Sequence, residues 1–102
     1  MNCTPLTESL FYILLSVKKP NYGYGIMEQI REMTEGRINM GAGTLYGAIN
    51  TLLEKGYIVL YHQQTDSRKK KEYVITERGM EALKVEMGRL QQMIINGKKV
   101  LE

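Results

Sequence analysis

Residues 42–75 read AGTLYGAINTLLEKGYIVLYHQQTDSRKKKEYVI, and the change of hydrophobic period inside this stretch decides the fold. From Ala42 to Lys55 the apolar residues Leu45, Ile49, Leu52 and Leu53 recur at helical spacing. Gly56 follows in the position where a left-handed residue ends a helix. Tyr57 to Gln64 is rich in β-branched and aromatic residues and predicts a strand. The polar run Thr65, Asp66, Ser67 and Arg68 predicts a turn, and Lys70 to Ile75 a second strand. A helix followed directly by a β-hairpin is therefore the centre of the chain.

Working outward, Thr76 is placed to cap a long last helix. Within it Met80, Leu83, Met87, Leu90, Ile94 and Leu101 fall on the a and d positions of a heptad, interrupted at Gly97. Upstream, Arg37 to Met40 reads as an extended link. Ile26, Met27, Ile30 and Met33 predict a helix that Gly36 stops. A first helix is expected from about Leu6 to Val17, with Thr4 as N-cap and Pro5 at the first helical position, where a missing N–H is harmless. Lys18, Lys19, Pro20 and Asn21 end it. Its apolar residues, among them Leu10, Phe11 and Leu14, occupy more than the stripe a monomeric core needs, so one side is expected to meet a partner chain or a ligand.

Three short helices followed by a two-stranded hairpin are the order of elements in a winged helix-turn-helix. The expected fold is mainly α (α+β), with a two-stranded β-wing and a long C-terminal dimerisation helix. Residues 1–76 would be the winged-helix unit and 77–102 the dimerisation helix, together one compact body. At 102 residues there is room for one domain only, and so small a core makes self-association a natural source of stability.

The surface of the third helix carries the chemistry. Projected at the helical angle, Gly43, Gly47, Asn50 and Glu54 lie opposite the buried leucines, with Thr44, Tyr46 and Thr51 on the flanks and Ala42 at the start. Each glycine costs about 1 kcal/mol of helix propensity relative to alanine. An exposed face gains from that only if something must approach its backbone, and a nucleic-acid groove is such a thing. Tyr46 and Thr44 offer hydroxyls for phosphates near the helix N-terminus, and Asn50 and Thr51 are the candidate base readers. Arg68, Lys69, Lys70 and Lys71 stand consecutively at the hairpin tip, where they suit phosphate oxygens. The net charge is only +3, so the argument rests on where the charges sit.

An enzyme would need a nucleophile with a base, a carboxylate pair or a metal cluster, and the sequence offers none. His62, the only histidine, reads as a half-buried strand residue. Gly23 and Gly25 lack the third glycine and lysine of a phosphate loop and read as turn residues. No cofactor or metal is expected. The single cysteine, Cys3, suits a reducing cytoplasm. The apolar run Leu10 to Leu15 is far short of a membrane span and has no basic region before it, so neither a membrane segment nor a signal peptide is expected.

Gly43-Thr44-Leu45-Tyr46 with Ile49, Leu52, Leu53, Glu54, Lys55, Gly56, Tyr57 and Ile58 resembles the recognition-helix signature of the PadR family. Arg68-Lys69-Lys70-Lys71-Glu72-Tyr73-Val74-Ile75-Thr76, ending at Gly79, resembles that family's wing and its junction into the last helix. Tyr22-Gly23-Tyr24 resembles the start of its second helix. The resemblance implies a dimeric winged-helix transcriptional regulator, usually a repressor, of the short subtype with a single C-terminal dimerisation helix. Two departures stand out: Gly47 replaces a frequent proline, and Gly41 a serine-like cap. Some short members hold flat aromatic compounds between interface tryptophans, but this chain has no tryptophan, so that mode does not transfer.

The expectation is a homodimer on double-stranded DNA, with paired third helices in successive major grooves of a palindromic operator and wings on the flanking backbone. The alternative is a winged helix that contacts only proteins. Seven methionines could line the dimer interface softly enough to admit an apolar small-molecule effector, and serve equally well as gap fillers.

Overall fold

The computed structural model describes residues 5–63 and 71–102. Four helices, α1 (Glu8–Ser16), α2 (Gly23–Met33), α3 (Ala42–Lys55) and α4 (Glu77–Leu101), enclose one core against a small sheet. Its strands are β1 (Asn21–Tyr22), β2 (Ile58–Gln63) and β3 (Lys71–Ile75), all antiparallel in the order β1-β3-β2. The expected two-stranded wing thus gains a third strand at its base, Asn21 facing Tyr73 and Tyr22 facing Glu72.

The first helix begins later than its sequence suggests. Thr7, not Thr4, is the N-cap, its hydroxyl accepting from the Leu10 N–H at 3.2 Å, and Glu8 supplies the acidic first turn. Pro5 and Leu6 precede the helix, and Thr4 lies outside the described residues. Leu6 is held out of helical geometry because its side chain enters the core while its N–H donates to Glu86.

At the centre, Ile13, Leu14, Val17, Ile26, Ile30, Leu45, Ile49, Leu52 and Ile58 are almost wholly removed from solvent. They come from α1 and its C-cap, α2, α3 and the first residue of β2, so the core is the junction of the helix-turn-helix with the wing. Gly56 ends α3 at φ 77°, and the N–H groups of Gly56 and Tyr57 close on the carbonyls of Leu53 and Leu52 at 3.1 and 3.0 Å. Thr76 then ties three elements together. Its hydroxyl donates to the Gly56 carbonyl at 2.7 Å and accepts from the Gly79 N–H at 3.1 Å, while its own N–H donates to the Tyr57 carbonyl at 2.9 Å.

Two glycines that read as turn residues in the sequence are helical. Gly23 and Gly25 lie in the first turn of α2, and each is small because a neighbour occupies the space of a Cβ: the Tyr46 hydroxyl at Gly23, the Asn21 carboxamide at Gly25. Asn21 is thereby free to bracket the α1–α2 corner, donating to the Ser16 carbonyl at 3.0 Å and to Gln29 Oε1 at 3.1 Å. Gly79 is confined in the same way by the Tyr57 carbonyl.

Beyond Leu90 every residue of α4 is exposed. The face that buries Gly79, Ala82, Leu83 and Glu86 continues, at heptad spacing, as Leu90, Met93, Ile94, Gly97, Val100 and Leu101. Among the described residues nothing covers its second half.

Candidate nucleic-acid interface

The helix α3 buries Leu45, Ile49 and Leu52 and turns the opposite face to solvent. Ala42, Gly43, Thr44, Gly47, Asn50 and Glu54 are all exposed. At Gly41, Gly43 and Gly47 a Cβ would meet nothing within 4 Å, so no neighbour among the described residues requires these glycines. Gly41 caps the helix through its backbone alone, with no side-chain hydrogen bond, which leaves its first N–H groups open to an acceptor. Thr51 is half-buried, and its hydroxyl donates back to the Gly47 carbonyl at 3.2 Å. Of the two candidate base readers, Asn50 is therefore the more accessible.

Tyr46 is 47% exposed, and its phenol reaches across to the start of α2. Tyr24, one residue beyond Gly23, is 59% exposed on the outer face of α2. A cleft of about 160 Å³ connects Tyr24, Met27 and Glu28 to Asn39 and Met40, the residues leading into α3. Glu28 accepts from Arg31 at 2.7 Å and holds the Tyr24 hydroxyl, which lifts the Tyr24 pKa above the usual phenol value. Tyr24 went unread as a surface feature. The cue was present in Tyr22-Gly23-Tyr24, where two aromatic residues flank a glycine.

On the wing, Lys71 is exposed at the start of β3. Arg68, Lys69 and Lys70, with the expected turn, lie outside the described residues, as does Gln64. A register shift between Leu60 and His62 places Tyr61 at a β-bulge. His62 is exposed, not half-buried as its alternating strand position suggested, because β2 is an edge strand whose outer half extends past the core. Val59, Leu60 and Tyr61 share that exposure.

The residues of the expected apolar seam differ in exposure. Leu14 and Leu83 pack in the core of their own chain, at 0% and 5% exposure. Leu10, Phe11, Met80 and Leu90 are half-buried, whereas Met87, Ile94 and Leu101 stand free. Between α1 and α4 a groove of about 240 Å³ is lined by Leu6, Phe11, Tyr12 and Leu90, with Glu86 and Arg89 in its wall. No helix among the described residues is long and apolar enough to cross a membrane.

A three-helix core with an exposed third helix, a strand pair following it and a projecting C-terminal helix defines a winged helix-turn-helix protein. A sequence profile of the PadR-like family of transcriptional regulators matches residues 12–85, and the chain belongs to that family. Among solved structures it is similar to a transcriptional regulator from Clostridium thermocellum, with TM-score 0.78, 24% identity and 93% of each chain covered. It also resembles a PadR family transcriptional regulator from Eggerthella lenta, with TM-score 0.79 and 21% identity over 91% of this chain and 80% of that one. A third is Bacillus subtilis PadR in complex with operator DNA, with TM-score 0.70 and 21% identity over 81% of this chain and 48% of that one. No curated protein matches the chain.

Proposed function

We propose that this transcriptional regulator is a homodimeric repressor that works in the cytoplasm on a palindromic operator. The α3 helices of the two copies enter successive major grooves, and the basic wing tips follow the flanking phosphates. One observation carries the reading: the small, polar face of α3, with Gly43 and Gly47 unhindered and Asn50 exposed, suits close approach to base edges. In this reading Asn50 and Thr51 read bases, while Thr44, Tyr46 and residues Arg68 to Lys71 hold phosphates.

Dimerisation draws support from α4, whose apolar face outlasts the chain's own core: Met87, Ile94 and Leu101 are 55%, 59% and 86% exposed. Residues 77–102 act as the dimerisation arm of the unit formed by 1–76, with Leu10, Phe11 and Leu90 flanking the seam. The groove between α1 and α4 is suited to an apolar effector that alters the spacing of the two α3 helices.

Selection from random duplex DNA, followed by footprinting, tests the proposal. The expected product is a symmetric site with half-sites about one helical turn apart. Recovery of no sequence, together with capture of an acidic protein through the wing, would support the protein-contact reading instead.

A further inference from the structure

Tyr46 is half exposed, and the tip of its ring lies against the start of α2. A Cβ built on Gly23 would overlap the Tyr46 hydroxyl oxygen and lie 2.9 Å from its Cζ, with Leu45 Cδ2 behind at 3.5 Å. The phenol therefore crosses from α3 to the first turn of α2 and ends over the bare α-carbon of Gly23, which is itself buried. On the sheet side stands Tyr73, also buried, whose hydroxyl is raised above its usual pKa first by burial and then by the neighbouring Tyr46. The tip of the phenol thus packs on α2 while the rest of the ring stays half exposed.

Nothing in α2 itself calls for a glycine at this position. Its φ is not left-handed, and glycine in a first helical turn forfeits propensity. What the glycine provides is room for the tip of a tyrosine from another helix. A tyrosine has only two side-chain torsions, so the room left at its tip decides whether this rotamer is open to it.

We propose that Gly23 is the positioning residue for Tyr46: by lacking a Cβ it lets the phenol lie across the helix-turn-helix, so that the Tyr46 hydroxyl is already placed to donate to a DNA phosphate before DNA arrives. This rests on the DNA-binding reading above. Gly23 acts through Tyr46, and a pre-placed donor spares the complex the cost of ordering that side chain on binding.

The test is a double-mutant cycle on the full chain, with the probe being a duplex selected by the native protein. Gly23→Ala meets only the far end of a flexible side chain, so the fold is expected to survive while Tyr46 swings away. Affinity should fall roughly tenfold. Tyr46→Ala should weaken binding similarly, and the double variant should bind no worse than Tyr46→Ala alone. Because the lost contact is to a phosphate, preference for the selected duplex over one mismatched opposite α3 should be unchanged. Additive losses, native affinity in Gly23→Ala, or a change in that preference would each overturn the proposal. So would a double variant that fails to fold, because Gly23 would then be required by something other than Tyr46. If Gly23→Ala unfolds and the double variant folds, the contact is packing alone, which also overturns it. A native chain that selects no duplex contradicts the DNA-binding reading, and this proposal with it, whereas the other failures leave that reading intact.

Discussion

The Leu6 N–H donates to Glu86 Oε1 at 3.2 Å, joining the segment before α1 to the middle of α4 across 80 residues of sequence. Glu86 is 4% exposed, and its other oxygen pairs with Arg89 one turn on. The helix that projects from the domain is thereby fastened to it by a buried carboxylate as well as by Ala82 and Leu83.

That carboxylate makes stability depend on pH. The Arg89 guanidinium foremost, and then the Leu6 N–H, hold the Glu86 pKa below its ordinary 4.5 against the opposing effect of burial. A depressed folded-state pKa stabilises the fold above the unfolded value, and the contribution is lost as pH falls through the folded one. Glu86→Gln should therefore lose part of the acid-side dependence, its melting temperature approaching that of the native chain below about pH 4. Glu86→Ala, leaving the Leu6 N–H without an acceptor, should cost about 1 to 3 kcal/mol at pH 7. Thermal melts across pH check both.

Glycines of α4 should diverge when given a side chain. At Gly79 a Cβ would strike the Tyr57 carbonyl, which is backbone and cannot turn aside, so Gly79→Ala should destabilise by about 1 to 3 kcal/mol. Gly88 has nothing within 4 Å, and Gly88→Ala should stabilise by up to about 1 kcal/mol through helix propensity. Denaturant titration of the two variants measures the contrast.

Gly47→Leu should leave the fold intact, since open space surrounds the position, and should abolish operator binding by filling the gap between α3 and the groove. A folded variant with native affinity would remove close approach from the mechanism. Melting temperature and fluorescence anisotropy on the same sample separate the two effects.

Lys71 is exposed at the start of β3, at the end of the wing next to the turn. If it and Lys70 each contact a phosphate, changing each to Ala should reduce the slope of log affinity against log salt by about 0.9, weakening all duplexes alike. Anisotropy titrations at several salt concentrations give the slope directly.

Much of this architecture is legible in the sequence. The bounds of α3 follow from the spacing of Leu45, Ile49 and Leu52 and from Gly56, because a strongly periodic helix ending in a left-handed glycine leaves little choice. The start of α1 is ambiguous in the sequence because Thr4-Pro5 and Thr7-Glu8 both make sound caps, and the Leu6 N–H, bonded to the distant Glu86, is not available to an earlier start. The strand β1 has two residues, too few for any period, and exists only because β3 offers it an edge. Gly23 and Gly25 look like turn glycines in one dimension. Their reason is a neighbour's side chain, which local sequence does not contain. The exposed face of α3 was legible as a surface, whereas the division of α4's stripe into core Leu83 and free Ile94 needed the fold to say where the domain ends.

The most direct test of a paired, DNA-bound regulator is sedimentation of the native chain with its selected duplex beside an Ile94→Glu, Leu101→Glu variant. Both side chains are exposed, at 59% and 86%, so the substitutions spare the domain's own core while placing charge in the proposed seam. Two native chains per duplex are expected, with the variant monomeric at micromolar concentration and its binding reduced by orders of magnitude as the second half-site contact is lost. One native chain per duplex at saturation, or a variant that still pairs and binds as the native protein does, would contradict the account.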